Sequence, residues 1–236
     1  MILEKTKNVQ KKTSKKTRQP LGIEAYEQIC RKIITLDYKP GMILEEKLLM
    51  VDLALGRTPI REALLRLAGE GWIETLPNRG AMVPPITIQG TKAVFEAMRL
   101  LELGVASLAV NQNIDEQLTS MCDANQLVTN TINTGDILRL VNANHIFHLA
   151  YASCAKNTFL IRACLEVRNQ AKRLSYLSYT NEIDMNRSLQ GHYQTVVREH
   201  EAIISSLIDK NEVRLKEIIN QHIDAFQARI LAYMSS

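Results

Sequence analysis

The chain has 236 residues, 46% of them hydrophobic and 23% charged, enough apolar sequence for more than one packed unit and too much for a disordered chain. Its net charge of +4 is unevenly placed: residues 1–20 carry Lys5, Lys7, Lys11, Lys12, Lys15, Lys16 and Arg18 against Glu4, a net of +6, so the remainder sums to −2 and is not generically basic. No stretch of about 18 apolar residues could span a membrane, and no apolar run of about 7 to 15 residues with a small-residue cleavage site opens the chain, so a cytoplasmic location is expected.

Residues 1–20 form a Lys/Gln/Thr-rich tail without apolar periodicity, expected to be disordered and to act either as a source of phosphate contacts or as a solubilising leader. Residues 21–84 then read as one unit. Glu24 to Leu36 is an amphipathic helix with Tyr26, Ile29, Ile33 and Ile34 inward, Lys39-Pro40-Gly41 is a turn, and Lys47 to Leu55 is a further short helix. From about 58 to 69 a third helix is capped by Thr58, starts at Pro59 and turns Ile60, Leu64 and Leu67 toward a core, with Arg61 and Arg66 on its other face. Such a helix is roughly 18 Å long and suits a major groove about 12 Å wide. Trp72 to Leu76 and Ala81 to Val83 read as strands joined by the turn Pro77-Asn78-Arg79-Gly80, a hairpin with Arg79 at its tip. Helix, helix, helix, hairpin is the order of a winged helix-turn-helix, and a solvated helix face is the plain alternative for Arg61 and Arg66.

Arg57-Thr58-Pro59-Ile60-Arg61-Glu62-Ala63-Leu64 and Pro77-Asn78-Arg79-Gly80 resemble the signature of GntR-superfamily repressors, over residues 24 to 84. The resemblance implies base and phosphate contacts from Lys47, Arg57, Thr58 and Arg61, with the wing tip at Gly80 entering the minor groove. Lys47 stands where the family often has Arg, which removes bidentate guanine reading there, and Gly56 stands where a Ser commonly precedes the Arg.

Beyond Pro84-Pro85, residues 87–236 lose strand signals. Thr87 to Val110, Ile114 to Thr131, Thr134 to Cys154, Thr158 to Ser178 and Met185 to Met234, the last broken at Asp209-Lys210-Asn211, give an all-α antiparallel bundle of six or seven helices. The fold class is thus mainly α. Cys30, Cys122, Cys154 and Cys164 form no CxxC pair, and three lie in apolar helical stretches as ordinary reduced thiols.

His200 and His222 are equidistant from the turn at 209–212, so in an antiparallel pair their imidazoles share one layer; Asn144 and His148, four apart, share a face of another helix. Three imidazoles and an amide oxygen suit a divalent metal ion, Zn²⁺ or Ni²⁺, with open positions for a ligand; hydrogen-bonded core histidines are the alternative. His145 faces elsewhere and is read as structural.

Phe95 to Glu102, Asn144 to His148, Glu199 to Ile203 and Gln221 to Ile223 resemble the successive motifs of the all-helical FCD effector domain of the FadR-like GntR branch, over about residues 90 to 232. In many members that domain holds a metal through an Asp and a His four apart plus two later His, and the metal helps to grip a carboxylate effector. His148, His200 and His222 match, while Asn144 stands in place of the Asp. A neutral amide binds a cation less tightly and leaves the occupied site one charge more positive. Arg99 matches a family arginine near the effector cavity and is expected either to clamp a carboxylate or to pair with Glu102.

The resemblance implies a homodimer reading a pseudopalindromic double-stranded operator, repressing by default and releasing DNA when a small organic acid binds. Two rivals stand beside it: a constitutive DNA-binding dimer with a structural His cluster, and a metal-dependent hydrolase. Against the hydrolase, there is no HExxH motif, and Glu199 and Glu201 are expected to point away from the face of His200.

Overall fold

The computed structural model describes residues 19–77, 79–181 and 188–235. All but the last two residues of the basic tail, the wing residue Asn78 and the expected helix start at Met185 lie outside the described residues.

The amino-terminal unit is built from α1 (Leu21–Ile34), β1 (Ile43–Leu44), α2 (Glu46–Leu53), α3 (Arg57–Gly69), β2 (Glu74–Leu76) and β3 (Gly80–Met82). Helix α1 buries Ala25, Ile29 and Ile33, one every fourth residue, against the Ile60, Ala63 and Leu67 stripe of α3. Arg31 and Lys32 in the last turn of α1 complement its dipole.

Three details differ from the expectation. Helix α3 begins at Arg57 behind extended Gly56, and no side chain caps it, so Thr58 lies inside the first turn and is not the cap. Trp72 and Ile73 are core residues and not strand: Trp72 N–H donates to Leu67 O at 2.9 Å and Gly71 N–H to Ala68 O at 3.1 Å, with Gly71 at φ +74. That is a Schellman ending, which only a residue at ease with positive φ closes cheaply. The sheet also gains β1, whose two residues are too few for a period-two pattern, and its order is β1-β3-β2, antiparallel throughout.

The bundle comprises α4 (Ile88–Ala109), α5 (Asp115–Ile132), α6 (Ile137–Ser153), α7 (Thr158–Thr180), α8 (Leu189–Ile208) and α9 (Glu212–Ser235). Five of these starts are capped by side chains, Thr87, Asp136, Asn157, Ser188 and Asn211, each accepting a first-turn N–H. The breaks at 156–157 and 209–211 fall where Lys156 and Lys210 adopt positive φ. Helix α6 lies between α5 and α7, and α8 bridges α5 and α9. Phe95, Met98, Val105, Phe147, Leu174, Ile203, Ile219 and Ile223 belong to the bundle core.

The two units share a hydrophobic cluster that runs from α1 and α3 to Val128, Leu140, Val141, Tyr179 and Tyr193. Two side chains of α7 reach across the junction: Gln170 Nε2 donates to Gly71 O at 2.6 Å and Arg173 Nη1 to Pro84 O at 2.7 Å. No helix among the described residues is long and apolar enough to cross a membrane.

Candidate functional site

On the outer face of the amino-terminal unit, Lys47 is exposed in the first turn of α2, and Arg57, Thr58 and Arg61 are exposed along the start of α3. The fold gathers both arginines on one carboxylate: Arg61 Nε donates to Glu46 Oε1 at 2.9 Å and Arg57 Nε lies 3.7 Å from Glu46 Oε2. Such exposed pairs contribute little to stability, so their consequence is orientation of two cations at the amino end of a helix that projects outward. Arg79 is exposed at the wing tip. Gly80 has φ +90 and an added Cβ would stand 2.5 Å from Leu44 O, so packing against β1 accounts for this glycine without any ligand.

Arg66 does not join this face. Its guanidinium lies 3.8 Å from the centroid of the Tyr26 ring and donates to Glu70 Oε1 at 2.8 Å, while Tyr26 OH donates to Glu70 Oε2 at 2.5 Å. The five-residue step from Arg61 turns Arg66 back onto α1, where it covers Tyr26 and leaves that ring only half-buried.

Inside the bundle, His148 on α6, His200 on α8 and His222 on α9 form a near-equilateral triangle with ring centroids 5.2 to 5.4 Å apart. One nitrogen from each lies within 4.8 Å of the others. His200 Nδ1 is 3.0 Å from Asn125 Oδ1, and His222 Nδ1 is 2.7 Å from Glu199 Oε2, so both rings carry a proton on Nδ1 and turn Nε2 toward the cluster. Asn125 Nδ2 donates to Val197 O, which sets the orientation of that amide. His200 is also held flat by stacking on Phe147, centroids 3.6 Å apart. Burial, with the Arg168 charge adding to it, holds His148 and His200 well below the ordinary imidazole range, so both are neutral.

The residues fit a divalent ion. Asn144 Oδ1, His148 Nδ1 and His200 Nε2 are each buried without a hydrogen-bond partner, which is costly for a polar atom. His148 Nε2 and His222 Nε2 are 3.3 Å apart, matching the roughly 3.3 Å between two nitrogens that ligate one tetrahedral zinc at about 2.0 Å. The neutral imidazoles are the ligating form, and the Glu199–His222 and Asn125–His200 contacts are the outer partners such ligands usually have.

A cavity of about 220 Å³ opens beside this cluster between α6, α7, α8 and α9; Asn144, His222 and Glu199 line one part of it and Arg168, Ser178 and Phe226 another. Because a cavity of about 150 Å³ holds benzene, this one suits a small organic molecule.

Arg99 is not among the lining residues. Its Nη1 donates to Asn220 Oδ1 at 2.7 Å and its Nη2 to Asp224 Oδ1 at 2.5 Å, so it ties α4 to α9 on the outside of the bundle. The Arg99–Glu102 pairing does not form either; Glu102 is buried and pairs with Arg168 of α7. Glu199, expected to face away, lines the cavity and holds His222. It lies one residue before His200 and so off that ring's face, yet it reaches the neighbouring helix. Arg168 was missed; the only hint is a charge at a core-facing position of the α7 pattern.

A basic recognition helix with a wing, joined to a helical bundle with a ligand-sized cavity beside a histidine cluster, is the build of a DNA-binding regulator. The profile described as "FCD domain" matches residues 93–225, and that described as "Bacterial regulatory proteins, gntR family" matches residues 21–83. The chain belongs to the GntR family of transcriptional regulators, in the group carrying an FCD domain, and is not an enzyme.

Among its relatives, the Nta operon transcriptional regulator of Aminobacter aminovorans is 26% identical over 200 residues, covering 84% of this chain and 89% of its own. The gluconate operon transcriptional repressor of Bacillus licheniformis is 21% identical over 214 residues, 91% of this chain and 86% of its own. In structure, E. coli McbR/YncC superposes with a TM-score of 0.73 at 19% identity, over 92% of this chain and 99% of its own.

Proposed function

We propose that this regulator is ligand-responsive: a homodimer that represses from a pseudopalindromic operator and is released when a small carboxylate enters the cavity beside a metal held by His148, His200, His222 and Asn144. The observation that carries this reading is the three-histidine cluster, one nitrogen of each within 4.8 Å of the others, with buried Asn144 Oδ1 and His200 Nε2 lacking hydrogen-bond partners, at the edge of a ligand-sized cavity. A divalent cation bound there supplies a positive centre with positions open to a carboxylate oxygen. Asn125 and Glu199 fix the ring orientations in advance, so little ordering is needed on binding.

Elemental analysis of protein purified without a His tag tests it, beside the His148→Ala and His200→Ala variants. Near-stoichiometric metal in the parent and its loss in both variants is the expected result. No metal after loading with Zn²⁺ or Ni²⁺ would favour the rival, a constitutive DNA-binding dimer. The His148–His222 contact at 3.3 Å is also what a hydrogen-bonded cluster would contain, but such a cluster would not leave three atoms unpaired.

At the DNA end, Arg57, Arg61 and Lys47 form the base- and phosphate-reading set, with Arg79 at the wing, and Thr58 donates from the first turn. Arg61→Ala is expected to cost about 1–3 kcal/mol of operator affinity and to relax sequence preference at one position of each half-site. Lys47→Ala should weaken all sequences about equally and lower the salt dependence of binding. Titration on operator selected from a random duplex pool, at two salt concentrations, separates the two behaviours; an Arg61→Ala loss that is uniform across sequences would remove it from base reading.

A further inference from the structure

We propose that Arg168 is the residue that takes the ligand carboxylate, and that α7 carries the consequence to the recognition helix through Gln170 and Arg173. This rests on the effector reading above and deepens it.

Arg168 lines the cavity and is 4% exposed. Its Nε donates to Glu102 Oε1 and its Nη2 is in ion-pair contact with the same oxygen, while Glu102 Oε2 is buried without a hydrogen-bond partner. A guanidinium and a carboxylate normally meet as two forks with two parallel bonds. Here both nitrogens meet one oxygen, and a carboxylate entering the cavity would offer the guanidinium the two-oxygen partner that Glu102 does not. Asn144 and His222 line the same cavity, so the guanidinium borders the space that the histidine cluster borders. A carboxylate bound there bridges the ligating cluster and Arg168 and competes with Glu102 for the guanidinium.

At 100° per residue, Ser175 and Tyr179, which also line the cavity, lie within about 20° of Arg168 around α7. Gln170 and Arg173 lie about 200° and 140° round, on the opposite side. That opposite side holds the other unit by its backbone: Gln170 on Gly71 O, in the turn that ends recognition helix α3, and Arg173 on Pro84 O, in the linker that leads into α4. Glu102 belongs to α4 as well. A shift in the Arg168–Glu102 contact therefore bears on α7, which hydrogen-bonds the recognition unit, and on α4, into which its linker leads. Ligand binding moves this equilibrium only because the carboxylate favours the arrangement in which Arg168 turns from Glu102.

The test uses the full chain loaded with Zn²⁺ and the probes acetate, lactate and succinate. Calorimetry reads affinity, and amide hydrogen exchange, with the emission of the single tryptophan, Trp72, reads the state of the 70–73 turn. In the parent, one probe or more binds and exchange at Gly71 and Trp72 changes at least threefold. Arg168→Lys keeps a partner for Glu102 but loses the planar fork; it should retain zinc and weaken the probe tenfold or more. Gln170→Ala combined with Arg173→Ala should bind the probe like the parent while the response at Gly71 and Trp72 disappears.

Unchanged probe affinity in Arg168→Lys would overturn the clamp, and an undiminished response in the double variant would overturn the route. Failure of the zinc-loaded parent to bind any probe would overturn the effector reading itself, and this proposal with it.

Discussion

Zn²⁺ added to metal-free protein is expected to raise the melting temperature by about 5–10 °C at a free concentration a hundredfold above the dissociation constant. Binding to the folded state alone contributes about 2.7 kcal/mol at that excess, and 1 kcal/mol shifts a chain of this size by about 2–4 °C. The three histidines of the proposed site come from three helices, α6, α8 and α9, so an ion bound there would join elements that the unfolded chain does not hold together. His200→Ala should abolish the shift, since His200 is fully buried and its Nε2 is one of the atoms left without a partner. Asn144→Asp should do the opposite and enlarge it, because a carboxylate replaces a neutral amide among the donors. A melting temperature indifferent to Zn²⁺, Ni²⁺ and chelator alike in all three proteins would leave the cluster as core packing.

Much of this architecture was legible because periodicity is local. The α1 stripe, the α3 stripe and the helix breaks at Lys156-Asn157 and 209–211 are each set by a few neighbouring residues, and the equal spacing of His200 and His222 from one turn carried the only long-range step. What failed needed partners distant in sequence. Strand β1 is two residues long and exists only because β3 pairs with it. Thr58 looked like a cap because its neighbours are Arg and Pro, yet extended Gly56 starts the helix one residue earlier. Arg99 and Arg168 could not be told apart as candidates by pattern: one meets Asn220 and Asp224, the other meets Glu102 at a separation of 66 residues, and only tertiary packing decides which guanidinium borders the cavity. Arg66 was decided in the same way by Tyr26 and Glu70.

Glu102→Ala is expected to destabilise the protein by about 3–5 kcal/mol, because it leaves the buried Arg168 charge without its carboxylate. For a chain of this size that lowers the melting temperature by roughly 6–20 °C. Replacing both residues by methionine should recover most of the loss or exceed the parent, since a buried ion pair repays its desolvation poorly and methionine adapts to the space. Urea unfolding of the two variants beside the parent makes the comparison; a Glu102→Ala cost under about 1 kcal/mol would mean that Arg168 escapes into cavity water and is not held as a buried charge. If the double variant is as stable as the parent, Arg168 and Glu102 are not required for folding, and the reason for a charge in the wall of the cavity lies in what binds there. The same double variant should then take up zinc normally and bind acetate, lactate or succinate at least tenfold more weakly, which separates the work of the imidazoles from that of the guanidinium.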